Sequence, residues 1–284
     1  MAALKEIKSR IISVRSTLKI TSAMKMVASA KLHRVQAKAA ALTEFEKTLS
    51  KIAAGVDGRV AEQVVSSWSA PHKSVQNVAV VAFSSDGSLC GSFNANVIRL
   101  LHNVVEQLKK EGVGQITVYP VGEKIAQAAH KAGYDTCDDF RAMAAAPQYA
   151  QMAELAQRLM SMYASGKVDK VCMVYNHFHS MSRQEPRNEV FLPMENAGSE
   201  QNGIDTTDYI LEPEAVKLQQ ELLPYLLRIR MYAVLIDSAT AEHAARTVAM
   251  QTASDNAQGL LDELSLLYNK RRQQAITEEL TEIS

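Results

Sequence analysis

The sequence predicts an α/β domain joined to a long antiparallel coiled coil that the two ends of the chain form together. The first observation is the distribution of helix breakers: of the 12 Gly and 7 Pro residues, 17 lie between Gly55 and Pro213. Because Gly and Pro interrupt helices more than other residues do, each end is expected to form one long helix. The second observation is the alternation of short apolar runs with helical segments in the middle of the chain. We therefore expect a helix over 1–56, a Rossmann-like α/β domain over 57–212 and a second helix over 213–284.

The N-terminal helix carries two rows of mostly apolar residues at heptad spacing. One row is Leu4, Ile11, Leu18, Lys25, Leu32 and Ala39, and the other is Ile7, Val14, Thr21, Ala28, Val35, Leu42 and Leu49. Spacings of three and four that continue along a helix are typical of a coiled-coil seam. A helix of this length extends about 80 Å, so it needs a partner along that length, and the other terminal helix is available. Lys25 interrupts the seam, and either its side chain reaches solvent past small neighbours or a third surface packs there.

The charge distribution points to an acidic partner for the N-terminal helix. The chain has 31 Lys and Arg residues and 31 Asp and Glu residues, so its net charge is zero. Residues 1–38 nevertheless contain nine Lys and Arg residues and a single acid, Glu6. A basic helix of this kind can bind nucleic acid, anionic lipid or acidic loops of a protein, and the composition alone does not choose among these partners.

The composition disfavours two classes of protein, those that span a membrane and secreted proteins held by disulfides. No apolar run approaches the roughly 18 residues of a membrane span, and the N-terminus lacks the apolar segment of a signal peptide. Three scattered cysteines without a CxxC pair are typical of reduced thiols rather than of a disulfide framework.

The middle of the chain alternates between strand and helix patterns. Strands are expected over 78–83, 116–121 and 171–175, helices over 96–110, 123–132 and 147–165, an edge strand over 187–194 and a mobile loop over 196–208. Buried strands that alternate with helices are typical of βαβ units, which indicates a mostly parallel sheet.

The C-terminal helix is expected to begin near Pro213 and to be kinked or divided at Pro224. Five alanines spaced four apart then predict a close approach between helices; they are Ala241, Ala245, Ala249, Ala253 and Ala257. A leucine-rich stretch over 260–267 follows, and after it come the basic residues 270–272 and an acidic tip.

Three motifs could carry chemistry, and each has a simpler structural explanation. The segment SSDGSLCGSFN over 84–94 lies between a strand and a helix, as phosphate loops do, but it lacks their Lys and their glycine spacing, so a tight turn is favoured. Cys90 within it is expected to be a buried structural thiol. His177 and His179 alone make a weak metal site, and Glu242 with His243 looks like a pair on a helix surface. We expect no catalytic residues, no metal site and no cofactor.

At its two ends and in the central loop, the chain resembles the gamma-subunit family of the F-type ATP synthases, of bacterial type. The resemblance rests on IKSRIISVRSTLKITSAMKMVASAKL over 7–32, the loop over 84–94, AEHAARTVAMQTASDNA over 241–257 and LSLLYNKRRQQAITEELTEI over 264–283. The loop departs from the family pattern, because Gly87 and Ser88 stand where a basic residue and a Gly are expected.

The resemblance implies a rotor in the central stalk of a rotary motor, not an enzyme in its own right. Such a subunit couples proton-driven rotation of the c-ring to conformational cycling of three alpha and three beta subunits, and it also binds the epsilon subunit. It would bind no nucleic acid. It would associate with the cytoplasmic face of the bacterial inner membrane only peripherally, through the complex.

The resemblance also implies where the partners bind. Met24 and Lys25 match a segment that faces an acidic loop of the beta subunit, and Met24 is expected to lie level with the basic C-terminal patch. Contacts with a second beta-subunit loop are expected from the polar residues at the C-terminal end, which are Arg272, Gln273, Thr277, Glu279 and Glu282. Tyr209 and Glu212 match the foot that touches the c-ring, although Leu211 replaces an expected aromatic residue.

Two other functions are compatible with the residues alone. A basic coiled-coil module for nucleic acid would lose affinity steeply as salt is added, and its N-terminal helix lacks aromatic residues for stacking. A stand-alone nucleotide-dependent α/β enzyme would bind or turn over nucleotide as an isolated chain. Co-purification with six partner subunits would instead identify a stalk subunit.

Overall fold

The structure is a computed structural model that describes residues 2–57, 68–194, 212 and 214–283. The first element, α1, is a helix of 56 residues over Ala2–Asp57, and the last, α5, is a helix of 69 residues over Ala215–Ile283. Both lengths far exceed the mean of about 11–12 residues for a globular helix. None of the described helices is both long enough and apolar enough to cross a bilayer.

Helices α1 and α5 pack antiparallel along most of α1. The order of their contacts shows the direction: Ser254 bonds to Thr21 and Gln251 to Lys25, whereas the ring of Tyr225 meets that of Phe45 nearer the other end of α1. We call this helix pair the shaft. It forms the antiparallel coiled coil that the sequence predicts.

The two heptad rows of α1 form the seam of the shaft. Leu32 and Leu49 are buried, the other members of both rows are buried or half-buried, and the intervening Ile12 and Ile20 are each 60% exposed. On α5 the matching seam runs through Met250, Ser254, Ala257 and Leu261. Alanines 241, 245, 249, 253 and 257 are all buried or half-buried, as their spacing predicts.

The middle of the chain forms a five-stranded, mostly parallel sheet, as expected. Its strands are β1 (Asn77–Phe83), β2 (Gln115–Val121), β3 (Asp135–Thr136), β4 (Lys170–Phe178) and β5 (Gln184–Leu192), in the order β3-β2-β1-β4-β5. Only β5 runs antiparallel to its neighbour. The helices between the strands are α2 (Phe93–Lys110), α3 (Glu123–Lys131) and α4 (Tyr149–Ala164), with a 3₁₀-helix over Asp138–Ala144.

The sheet separates two apolar cores, and one of them includes the shaft. Alternate residues of β1 point to opposite faces: Val78, Val80 and Ala82 pack with α2 and α3, whereas Val81 and Phe83 pack with α4 and α5. The second core also contains Leu49, Ala53, Leu223 and Leu227 from the two shaft helices. The shaft is therefore held in the domain by shared hydrophobic burial rather than by a surface contact.

Of the two expectations for Pro224, a kink or a division of the C-terminal helix, the division was wrong. The helix α5 continues through Pro224 without interruption. A proline inside a helix removes one backbone hydrogen bond and strains the preceding turn. Here the neighbouring side chains of Leu223, Leu226 and Leu227 are buried in the core, which holds both sides of the proline in place.

Candidate interaction sites

The loop over 84–92 lies where α/β proteins most often bind ligands. Strand β1 lies between β2 and β4, and such a reversal of strand order opens a crevice at the carboxyl ends of the strands. In this chain the loop itself fills that place. The peptide of Ser84 is so close to Gly122 that a Cβ on Gly122 would be 2.3 Å from the Ser84 carbonyl oxygen.

The polar side chains of the loop hydrogen-bond to one another and to the next turn. Ser85 is fully buried, and its hydroxyl lies 3.0 Å from Asn94 Oδ1. Asn94 Nδ2 lies 3.2 Å from the buried Cys90 Sγ, and Asp86 Oδ1 accepts a hydrogen bond of 2.9 Å from the Glu123 amide. The loop is thus a tight turn whose polar groups have internal partners. Cys90 is the buried thiol that the sequence predicts.

Helix α5 closes the outer side of this loop. Ala241 and Ala245 pack against Cys90 and Phe93 in a small apolar cluster. Arg246 donates a hydrogen bond to the Ser88 carbonyl oxygen and another, of 2.8 Å, to Glu242 Oε1. A nucleotide would have to displace the shaft to enter this crevice.

Glu242 and His243 do not form a surface pair, which corrects the expectation. Their side chains are only 13% and 16% exposed, and burial lowers the pKa of His243. Glu242 instead orients Arg246, which the sequence analysis missed. The four-residue spacing of Glu242 and Arg246 on a helix was the available signal, because residues at i and i+4 face each other.

Lys25 bonds to the partner helix across the seam. Its Nζ donates a hydrogen bond of 2.7 Å to Gln251 Oε1, and one turn away Ser254 Oγ donates to Thr21 Oγ1 at 2.8 Å. These four residues form a polar layer in a mostly apolar seam. Polar pairs at core positions specify the axial register of a coiled coil, because any other alignment would leave them unpaired.

The polar layer corrects the predicted position of Met24. Since Thr21 is paired with Ser254 and Lys25 with Gln251, Met24 is level with residues 251–254. The basic residues 270–272 begin about 18 residues further along α5, which is roughly 27 Å at 1.5 Å per residue. Apolar spacing alone cannot give this alignment, because it fixes the face of each helix and not the register between them.

The other predicted contact residues are dispersed along the chain. Arg272, Gln273 and Thr277 are exposed on the last turns of α5, to which Glu279 and Glu282 also belong. Among the described residues, neither Arg272 nor Gln273 has a side-chain hydrogen bond or ion pair. Glu212 is exposed, and Tyr209 lies outside the described residues. The structure therefore groups the C-terminal residues and separates them from Met24 and Lys25.

The shaft also exposes large apolar side chains, which the sequence analysis did not single out on α1. Met26 is 67% exposed and Leu266 is 73% exposed. Others with more than two-fifths of their surface exposed are Ile12, Ile20, Val27, Phe45, Leu260, Leu267 and Ile276. Apolar surface of this extent on a charged helix pair is typical of a surface that another protein covers.

His177 does not lie in a metal-binding cluster. Its Nδ1 is 2.6 Å from Asp237 Oδ2 on α5, so it joins the end of β4 to the shaft. Among the described residues, no group of three or more His, Cys, Asp or Glu side chains could hold a metal ion.

Glu46 occupies a core position of the seam, seven residues after Ala39. Burial raises the pKa of its carboxyl group, and the nearby Arg230 partly opposes this shift. A carboxyl group whose pKa is raised on folding contributes stability below its unfolded pKa, and that contribution is lost as the pH rises through the folded pKa. We therefore expect Glu46→Gln to have a higher free energy of unfolding than the wild type at pH 8, and a smaller difference at pH 4, in urea titrations.

Glu44→Gln is the matched control, because Glu44 is exposed on the same helix. It should unfold like the wild type at both pH values. If Glu46→Gln were less stable at pH 8, attraction to Arg230 would outweigh the burial of the charge.

Comparison with known proteins gives a full-length match. The chain matches the family described as ATP synthase over residues 3–284. The ATP synthase gamma chain of Phocaeicola vulgatus is 45% identical over 285 residues, which cover 100% of this chain and 98% of that relative. The ATP synthase gamma chain of Chloroherpeton thalassium is 35% identical over 294 residues, covering 100% and 96%.

Among solved structures, the fold is similar to a chain of the Euglena gracilis mitochondrial ATP synthase, from the cryo-EM structure of OSCP/F1/c-ring in rotational state 3. The TM-score is 0.61, with 19% identity over 99% of this chain and 92% of that chain. At this level of identity the likeness shows the fold alone.

Proposed function

We propose a function for this chain, which belongs to the gamma-chain family of the ATP synthases. It couples proton-driven rotation of the c-ring to conformational cycling of the catalytic subunits. The chain is the gamma subunit of the central stalk, a non-catalytic part of the complex. Its partners are the alpha and beta subunits, the epsilon subunit and the c-ring. We further propose that it lies at the cytoplasmic face of the membrane, held there by the complex.

The shaft and its anchorage carry this proposal. Two helices of 56 and 69 residues pack along a common seam, and both contribute side chains to a core of the α/β domain. A twist applied to the domain is therefore passed to the helices through packed side chains, which resist deformation because protein interiors are close-packed. A subunit that transmits torque needs this kind of joint.

Rotation has an effect only if the shaft differs from one side to another. The nine basic residues within 1–38 belong to α1 and not to α5, so one side of the shaft carries excess positive charge. Exposed apolar residues add a second surface. As the shaft turns, each surrounding subunit would meet first one helix and then the other, and its interaction energy would change with the angle.

We propose two separate levels of contact with the catalytic subunits. One level is formed by Met24 and Lys25, of which Lys25 also belongs to the polar layer, and the other by Arg272 and Gln273 with Thr277, Glu279 and Glu282. The two lie roughly 27 Å or more apart along the shaft at 1.5 Å per residue, so they would meet different loops. We also propose that Tyr209 and Glu212 contact the c-ring. Family membership gives no support to the alternatives of nucleic-acid module and stand-alone enzyme.

The C-terminal level is tested by Arg272→Ala in the assembled complex. Arg272 is exposed and has no partner among the described residues, so its loss should leave the folding of the subunit unchanged. A hydrogen bond from its guanidinium to a charged group of the beta subunit would contribute about 1.5–3 kcal/mol. We expect normal assembly and a severalfold loss of both ATP synthesis and ATP hydrolysis.

Arg99→Ala is the matched control, because Arg99 is an exposed arginine of α2 in the α/β domain. It should assemble and work like the wild type. Wild-type rates from a fully assembled Arg272→Ala complex would remove Arg272 from the contact surface, but they would leave the role of the shaft intact.

A further inference from the structure

A cavity of about 510 Å³ lies at the junction of the shaft and the domain, away from the contact residues discussed above. Helices α1 and α5 form one side of it, and strands β4 and β5 form the other. Its charged and titratable lining consists of Glu46, His177, Arg187, Glu189, Arg230 and Asp237. The volume is within the range of small-molecule sites, which is about 300–1,000 Å³.

The carboxylates in the cavity already have donors from the protein itself. Asp237 accepts hydrogen bonds from His177 Nδ1 at 2.6 Å and from the Phe178 amide at 3.0 Å. Glu189 Oε1 accepts a hydrogen bond of 2.8 Å from the Tyr175 hydroxyl. Burial favours the uncharged form of Glu46. Asp237 and Glu189 therefore have hydrogen-bond donors within the protein, and they create little demand for a cation.

The two arginines of the cavity, Arg187 and Arg230, lack the hydrogen-bond partners that these carboxylates have within the described part of the chain. Arg230 Nη2 is 3.9 Å from Glu189 Oε2, and Arg187 Nη2 is 3.6 Å from Glu185 Oε2. Both distances are too long for hydrogen bonds, and within the described part of the chain neither guanidinium donates one. Each guanidinium has five N–H donors arranged to match a carboxylate or a phosphate. Their side chains are 34% and 40% exposed, so each is partly withdrawn from solvent.

We propose that this cavity binds an oxyanion, a carboxylate or a phosphate group, between Arg187 and Arg230. The group could belong to a small free anion or to an acidic side chain of a neighbouring subunit, because the arginines would bind the same oxygen atoms in either case. The site joins β5 to α5, so the bound group would connect the domain to the shaft. The proposal is independent of the rotor function.

Binding of inorganic phosphate to the isolated full-length chain tests the proposal. We expect saturable binding in titration calorimetry, and a melting temperature that rises with sodium phosphate relative to sodium chloride at equal ionic strength. Arg187→Gln and Arg230→Gln should each weaken phosphate binding at least about tenfold, because each removes charge-assisted hydrogen bonds.

Arg183→Gln is the control, because Arg183 is 65% exposed beside the same strand and does not line the cavity. It should bind phosphate like the wild type. The proposal is overturned if the wild-type chain shows no saturable binding, or if Arg183→Gln loses as much affinity as the two cavity variants do, since the effect would then be general charge screening.

The assembled complex distinguishes the two sources of the anion once the isolated chain is shown to bind. If the site takes a free anion, phosphate should bind the complex with an affinity that still depends on Arg230. If a neighbouring subunit supplies an acidic side chain, the site in the complex should be closed to phosphate, and Arg230→Gln should weaken retention of that subunit in high salt. Both results support an oxyanion site; phosphate binding to the complex that does not depend on Arg230, together with unchanged retention, contradicts it.

Discussion

Leu32→Asp should prevent the shaft from forming and the complex from assembling. Leu32 is a member of the first heptad row and is only 5% exposed in the seam. The substitution removes a buried leucine and places an unpaired charge between two helices. Together these effects should lower the free energy of unfolding by about 4 kcal/mol or more. We expect a large loss of helical circular dichroism in the isolated chain and no co-purification with the alpha and beta subunits.

Ala30→Asp introduces the same charge two residues away, on the exposed side of α1. Its helix content and its melting temperature should remain close to those of the wild type. Unchanged unfolding of Leu32→Asp would mean that the seam does not follow the two heptad rows.

Gly122→Ala should destabilise the α/β domain by about 3 kcal/mol or more. Gly122 has a φ of +116°, which side-chain-bearing residues rarely adopt, and an added Cβ would lie 2.3 Å from the Ser84 carbonyl oxygen. Neither atom can move freely, because Ser84 and Gly122 are both held by backbone hydrogen bonds, to Val121 and Arg141. The expected result is a strongly lowered midpoint of urea unfolding, or failure to accumulate folded protein.

Gly133→Ala separates the effect of crowding from that of backbone conformation. Gly133 also has a positive φ, of +71°, but a Cβ there would meet no atom within 4 Å. The cost should be only about 1–2 kcal/mol, that of the left-handed backbone conformation. Equal destabilisation by the two substitutions would contradict the close approach of Gly122 to Ser84.

The parts of the fold that follow from local patterns could be predicted from the sequence. The absence of helix breakers at both ends predicts the two shaft helices, and apolar runs such as 78–83 predict the parallel strands. Strand β3 was missed because two residues carry no periodic signal. The division at Pro224 was predicted wrongly because the burial of its leucine neighbours in a core is a tertiary effect that local propensity does not contain.

The candidate sites were less predictable, because they depend on which distant residues meet. The alignment of Met24 with α5 is set by the polar layer. Two members of that layer, Thr21 and Ser254, are 233 positions apart in the chain. The cavity was missed altogether, although its signal was present in part. Extending the first heptad row by seven residues from Ala39 reaches Glu46, an acid where an apolar residue is expected. The reason for an acid at this position is the cavity between the shaft and strands β4 and β5, and the heptad pattern does not contain those strands.

The uninterrupted course of both shaft helices has a mechanical consequence. Helix α1 runs from the domain core at Ala53 to Ala2 without a break, and α5 runs from Leu223 to Ile283 in the same way. There is thus no break in either helix at which deformation could be concentrated. Elastic deformation under load must be spread over the helical hydrogen bonds of about 80 Å of paired helix, each of them changed only slightly. Such a rod stores elastic strain along its whole length and releases it smoothly, because no single joint carries the deformation.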